Sequence, residues 1–151
     1  GEYVVVAFND DSASFSFISE PVRVGMKPII AGCNNARLDN KLGVQLRVDV
    51  EVPEDGEYIL EFEYSNGNGG IPNDNKCANR SLFVDKKAAG VVVMPQRGPE
   101  DWTSKGYTLP IRVFLTAGRH TVELKYFDEN INMNIDTDSA LVRSLRVYKT
   151  N

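Results

Sequence analysis

Trp102 is the only tryptophan in the chain, and its neighbours are polar: Asp101 before it, Thr103 and Ser104 after it, Gln96 and Arg97 upstream. That is not the setting of a core residue. A large aromatic face offers apolar area to the C–H side of a flat ligand such as a sugar ring. Gln96 and Arg97 would then meet polar or acidic groups of that ligand, since an amide both donates and accepts and a guanidinium donates in a fork. Further along, Asn130, Asn132 and Asn134 alternate with Ile131, Met133 and Ile135. Their amides suit hydroxyl recognition, as does Asn66 in the Asn/Gly-rich stretch between Tyr64 and Arg80. Plainer readings stand beside these: a tryptophan that caps the open end of a domain, and asparagines that only form turns. Asp136 and Asp138 could supply oxygen ligands to calcium, although the twelve-residue calcium-loop pattern is absent.

Catalytic patterns are weak. His120 is the only histidine and follows an Ala-Gly-Arg turn at the start of an alternating run, which reads as a structural strand residue. The chain has no nucleophile elbow, phosphate loop or dinucleotide fingerprint. A glycosidase pair could come from Glu100 and Asp101, or from Asp128, Glu129, Asp136 and Asp138. With 21 acidic residues in the chain, most should be solvated loop charges. Cys33 and Cys77 both sit in Asn-rich segments, and a disulfide of an exported protein and a pair of thiols are both open. Two cysteines without a histidine pair are too few for zinc.

The elements that must position these loops read as strands. Val44, Leu46, Val48, Val50 and Val52 alternate with polar residues, and so do Tyr58, Leu60, Phe62 and Tyr64. Across Pro53-Glu54-Asp55-Gly56 these two runs are expected to form an antiparallel hairpin. Ser81–Asp85 and Ala89–Met94 should form a second hairpin across Lys86-Lys87. Leu109, Ile111, Val113 and Leu115 alternate around Pro110, which suggests an edge or a bulge. His120, Val122, Leu124 and Tyr126 share a face, and Leu141, Leu145 and Val147 anchor a closing strand. Tyr3–Phe8 and Ser14–Ile18 are shorter candidates, and Pro21–Asn40 reads as irregular. The long polar connections are Tyr64–Arg80, Pro95–Tyr107 and Asp128–Ser139. No helical period is sustained. The fold expected is all-β, a jelly-roll β-sandwich of two antiparallel sheets.

At 151 residues the chain fits one domain, residues 1–151, large enough to fold without a disulfide or metal. The net charge of −4 argues against a nucleic-acid partner. No apolar run is long enough to span a bilayer as a helix. The start Gly1-Glu2-Tyr3 reads as that of a processed form, or of a domain excised from a larger protein with Gly1 as a scar.

Gly56-Glu57-Tyr58, the strand end Tyr64-Ser65-Asn66-Gly67, Asn79-Arg80-Ser81-Leu82-Phe83-Val84-Asp85, Met94-Pro95, Trp102 and Leu115-Thr116-Ala117-Gly118-Arg119-His120-Thr121-Val122 follow one another in a familiar order. Over about residues 43 to 148 the chain resembles carbohydrate-binding modules of families 6 and 35, β-sandwich domains attached to bacterial polysaccharide-degrading enzymes. The resemblance implies sugar held by loops at one end of the sandwich, with an aromatic at the place of Trp102. The family's asparagine before the last strand has no match at Ala140-Leu141-Val142-Arg143, and the Glu-Ala-Glu pattern that often helps bind a structural calcium is missing.

The function expected is therefore non-catalytic binding of a polysaccharide or oligosaccharide beside an attached catalytic domain, in a secreted, periplasmic or cell-surface protein. No cofactor is required, while a structural calcium stays open. The rivals are a structural or protein-interaction sandwich and a small glycoside-active enzyme.

Overall fold

The computed structural model describes residues 27–70, 77–131 and 138–150, together with the backbone of short strands nearer the N-terminus. Those are β1 (Glu2–Tyr3), β2 (Val6–Phe8), β3 (Ser16–Ile18) and β4 (Val22–Arg23); β1 pairs with β4 and β2 with β3. Then come β5 (Ile29–Leu38), β6 (Gly43–Val52), β7 (Gly56–Ser65), β8 (Ala78–Val84) and β9 (Lys87–Met94). The chain continues with β10 (Gly106–Tyr107), β11 (Ile111–Leu115), β12 (Gly118–Tyr126), a 3-10 turn at Asp128–Asn130, and β13 (Ala140–Lys149).

Two antiparallel sheets carry the fold. One has the order β10-β7-β13-β5, with β11 also paired to β7; the other has the order β6-β12-β8-β9. The period-two pattern explains the sandwich, because each strand offers one apolar face. Leu60, Phe62, Leu145 and Val147 come from one sheet and Val50, Leu82, Val92 and Leu124 from the other, and all are buried in a single core. Each contributes about 1.5–3 kcal/mol on burial.

The strands expected around Val48–Val52, Tyr58–Tyr64 and Val122–Tyr126 are present, and β8 and β9 form the expected hairpin. Other expectations are corrected. β6 and β7 do not pair: β6 lies against β12 and β7 against β13, so the Pro53–Asp55 turn arches from one sheet to the other. The two apolar faces meet across the core instead of lying side by side. The segment read as irregular contains the ten-residue strand β5. Its disguise is Asn34 and Asn35, both with positive φ, in a bulge where Gly32 and Ala36 oppose Ser144 and Val142. Asparagine tolerates that left-handed backbone better than most residues.

Bulges also displace two expected core residues. In β6, Leu46 opposes Leu124 while Val44 opposes Lys125, which makes Gln45 the extra residue and turns Val44 outward. In β13, Arg143 is the extra residue; Val142 is buried and Leu141 faces away from the core. Pro110 separates β10 from the edge strand β11, and Leu109 is exposed.

His120 is structural. Nδ1 lies 2.6 Å from Asp85 Oδ2 and Nε2 lies 2.7 Å from the Thr116 carbonyl, so the ring ties together the turns that open β9 and β12. Burial pushes the imidazole down, but the Thr116 carbonyl and the Asp85 carboxylate outweigh it and its pKa is raised. Burial pushes Asp85 up, but its bonds from His120 and the Thr121 N–H win and its pKa is lowered. A raised histidine stabilises fully below its unfolded value of 6.5 and loses this as pH climbs through the folded value. A lowered aspartate stabilises fully above 3.8 and loses this as pH falls through its folded value. His120→Gln should therefore cost about 1.5–3 kcal/mol near pH 5–6, with the gap to wild type narrowing above neutral pH, as read by thermal melts across a pH series.

Candidate functional site

The described parts of the long connections lie at one end of the sandwich, opposite the turns at Asp85 and Thr116, and they are braced to one another. Arg97 N donates to Asn66 O at 2.9 Å and Glu100 N to Gly69 O at 2.8 Å, which zips residues 66–70 to residues 97–100. Asn66 Nδ2 donates to Met94 O at 2.9 Å, and its Oδ1 accepts from Asn68 N and Nδ2. Gln96 Nε2 reaches the carbonyls of Asn68, Gly69 and Gly70. Tyr64 Oη donates to Pro95 O at 3.0 Å. The third connection joins through Asn68, whose Nδ2 donates to Ser139 O at 2.9 Å while Ser139 Oγ donates back to its Oδ1.

Gly67 is the tightest point. A Cβ there would lie 2.6 Å from the Asp101 carbonyl carbon and 2.8 Å from the Asp101 nitrogen. The contact is with backbone, so no rotamer can relieve it. Gly67→Ala should destabilise by about 1–3 kcal/mol, measured by urea unfolding, and should loosen the 95–105 connection. The tolerant middle of the first connection is thus narrower than its composition suggests: residues 66–68 are framework, and residues 71–76 lie outside the described residues.

Arg80 is the buried hub beneath this end. It is fully buried, and its guanidinium lies over the Tyr126 ring with the central carbon 4.5 Å from the centroid. Nε donates to Gln45 Oε1 at 2.8 Å; Nη1 donates to Asp138 Oδ1 at 2.7 Å and to Asn79 O at 2.6 Å. Nη2 donates to Asp138 O at 2.8 Å and to Asp39 O at 2.6 Å. The β6 bulge is what aims Gln45 at Arg80, and Gln45 Nε2 in turn holds Asp39 O and Lys41 O. Asp138, considered above as a calcium ligand, already has Oδ1 and its carbonyl on Arg80; Asp136 lies outside the described residues. Among the described residues no three His, Cys, Asp or Glu side chains stand together as a metal site would need.

What remains at the surface is aromatic and cationic. Asp101 Oδ1 accepts from Thr103 Oγ1 at 2.6 Å, Thr103 N at 2.9 Å and Ser104 N at 3.2 Å, bonds that hold its carboxyl low and fix the turn carrying Trp102. The Trp102 ring is partly buried, with the Arg37 guanidinium carbon 5.7 Å from its centroid. Arg97 is exposed; it lies 5.8 Å from the Tyr64 ring centroid and over Gly106, where a Cβ would run into it. Beside it a groove of about 220 Å³ is lined by Tyr64, Pro95, Gln96, Arg97, Tyr107 and Leu109, among others. Tyr107 is exposed and stacks on Arg146, whose guanidinium carbon is 3.8 Å from its centroid. Arg146 is paired with the buried Glu61, which also accepts from Tyr148 Oη at 2.8 Å. Burial, then the bond to Glu61, push Tyr148 up to about 12.

The structure therefore brings Gln96 and Arg97 to one groove, whose lining does not include Trp102; the Trp102 ring lies instead by Arg37 of β5. Asn66 is fully buried and braces the loops from inside. Asn132 and Asn134 lie outside the described residues. Sequence reasoning missed Arg37, Tyr107 and the Arg80 hub. Arg80 had a signal, since it shares the period-two face of Leu82 and Val84. Cys33 and Cys77 are both thiols, not the halves of a disulfide. Burial raises both, Cys33 to about 11.

No protein-family model matches the chain. Among solved structures it is similar to a family 35 carbohydrate-binding module from Clostridium thermocellum, with a TM-score of 0.57 and 16% identity over 83% of this chain and 100% of that one. A Xyl-CBM35 module in complex with a glucuronic acid-containing disaccharide gives 0.52 and 22%, over 75% of this chain and 71% of that one. The chain has the fold of a family 35 carbohydrate-binding module. A similar fold is found within a larger chain: the Paenibacillus sp. cycloisomaltooligosaccharide glucanotransferase, solved with cycloisomaltoheptaose, matches at 0.53 and 23% over 82% of this chain and 18% of its own. A curated glucanotransferase of that name from Niallia circulans is 29% identical over 89 residues, 58% of this chain. The chain spans about 8% of that curated relative's length.

Proposed function

We propose that the loop end of this sandwich binds a carbohydrate without cleaving it, as an accessory domain of a glycan-active protein. The observation that carries this is the division of labour at that end. Buried Asn66, Asn68 and Arg80 and partly buried Gln96 fix the connections, while Tyr107 and Arg97 are exposed and Trp102 is partly exposed on that frame. A preorganised surface of aromatic faces and hydrogen-bond donors loses little freedom when a sugar binds. In this reading Trp102 stacks, Arg97 takes polar or acidic groups, and Asn132 and Asn134 take hydroxyls, while Gln96 serves the frame. The family 35 fold supports it, as do relatives solved with cycloisomaltoheptaose and with a glucuronic acid-containing disaccharide.

Electrostatics support a non-catalytic role. A glycosidase needs a general acid whose pKa is raised. Among the described residues the carboxylates displaced from their ordinary range, Asp49, Asp85 and Asp101, are all held low. The buried Glu61, Glu123 and Asp138 face Arg146, Arg47 and Arg80. The gain for the parent protein is effective concentration, because a tethered module keeps an attached enzyme near its polymer. We place that parent outside the cell, in the periplasm or at the cell surface. A screen of α-glucans, acidic oligosaccharides and plant polysaccharides, with and without a calcium chelator, tests the reading. Binding at millimolar ligand or below that survives chelation is expected, because Arg80 already neutralises Asp138. Absence of binding across the screen would favour a structural domain, to which the partly buried Trp102 would then belong.

A further inference from the structure

The chain holds two Asn-Gly pairs, Asn66-Gly67 and Asn68-Gly69, and both lie in the brace of the loop end. Asparagine amides are among the thermolabile groups of proteins. A following glycine, which has no Cβ, lets its backbone nitrogen approach the amide closely. That nitrogen attacks the asparagine Cγ and loses its proton to hydroxide. A C–N bond forms, the Cγ–Nδ2 bond breaks, and Nδ2 leaves as ammonia. Water then opens the five-membered imide at either carbonyl, leaving aspartate or isoaspartate.

The two pairs are not equivalent. Asn66 is fully buried with Nδ2 bound to Met94 O, and Gly67 is pressed against the Asp101 backbone. Neither ring closure nor entering water has room there. Asn68 is 9% exposed, Gly69 is half-buried, and Gly70 is exposed with open space beside it. What protects Asn68 is hydrogen bonding. Ser139 holds its carboxamide from both sides, Gln96 Nε2 holds its carbonyl, and Glu100 N holds the Gly69 carbonyl. These bonds must slip before Gly69 N can reach Cγ, so the rate follows the population of the opened loop.

We infer that Asn68 is a modification site, where spontaneous deamidation unlocks the loop end. Its Nδ2 lies 2.7 Å from Asn66 Oδ1 and 2.9 Å from Ser139 O. The carboxylate oxygen that replaces it sets a buried anion against two acceptors. The link between the first and third connections then becomes a repulsion. The inference is independent of the carbohydrate reading, because its readouts are mass and stability.

Peptide mapping of the intact domain, aged in mildly alkaline buffer made with heavy-oxygen water, tests it. Label should enter at Asn68 before Asn66. In urea the two sites should react at similar rates, at least about tenfold faster than in the folded chain. Ser139→Ala and, separately, Gln96→Ala should each speed labelling at Asn68 about fivefold, the gain in opening from one lost hydrogen bond. Asn68→Asp, the product made directly, should melt below wild type at neutral pH. The gap should close as pH falls, because a protonated carboxyl donates again. That contribution is complete below about 3.9 and is lost as pH climbs through the raised folded value. Label entering first at Asn66, equal rates in the folded and unfolded chains, or no labelling of the folded chain would overturn the proposal. So would unchanged labelling in both variants, or an Asn68→Asp domain that melts like wild type at neutral pH.

Discussion

Arg80→Ala is expected to destabilise the domain by about 3–5 kcal/mol, a fall of roughly 6–20 °C in melting temperature for a chain of this size. Arg80 and Asp138 are both fully buried, so removing the cation leaves a carboxylate uncompensated where water cannot reach it. The same change strips donors from the carbonyls of Asp39, Asn79 and Asp138 and from Gln45 Oε1. Arg80→Lys should recover little, because an ammonium cannot fork to Asp138 while also reaching Gln45 and Asp39. Pairing Arg80→Met with Asp138→Leu should recover more than either single change, since no buried charge then remains. Urea unfolding of these variants checks the ordering. A loss below about 1 kcal/mol for Arg80→Ala would mean that water enters this site and that the hub does not hold the loop end.

The fold was legible where the chain keeps its period. Val48, Val50 and Val52, or Tyr58, Leu60 and Phe62, announce strands with one dry face, and the structure buries that face. Legibility failed where a single residue breaks parity. Gln45 and Arg143 are extra residues, and each flips its neighbours, which is why Val44 and Leu141 look like core residues in the sequence and are not. The Asn34-Asn35 bulge hid β5 because asparagine pairs read as a turn. The Pro53–Asp55 turn looks the same whether it closes a hairpin or arches between sheets; what decides is the partner strand, far away in sequence.

The site was legible in part for the same reason. Trp102 among polar residues is a local signal, and it does lie at the loop end. The inward use of Asn66 and Gln96 is not a local signal, because an amide that braces a loop and one that meets a ligand are the same residue type. Only Met94 O and the Asn68–Gly70 carbonyls reveal the brace. Tyr107 was passed over because it ends a polar stretch; its exposure follows from its place on the short outer strand β10 and its stacking on Arg146.

Trp102→Ala should weaken glycan binding by about 2 kcal/mol or more, the loss typical of an aromatic anchor, which is about thirtyfold in affinity. Because the ring is partly buried and touches Arg37, the alanine variant also loses some packing and a cation–π contact of about 0.5–1 kcal/mol. Trp102→Tyr separates the two effects. It keeps an aromatic face on the turn that Asp101 fixes, so it should retain most of the binding even where its melting temperature falls.

The most direct measurement is calorimetric titration of the best ligand from the polysaccharide screen into wild type, Trp102→Tyr and Trp102→Ala, each checked for a cooperative melt. Binding by wild type and the tyrosine variant, with a loss of about thirtyfold in the folded alanine variant, is the expected result. Equal affinity in all three would contradict the assignment of the carbohydrate site to Trp102 and the loop end.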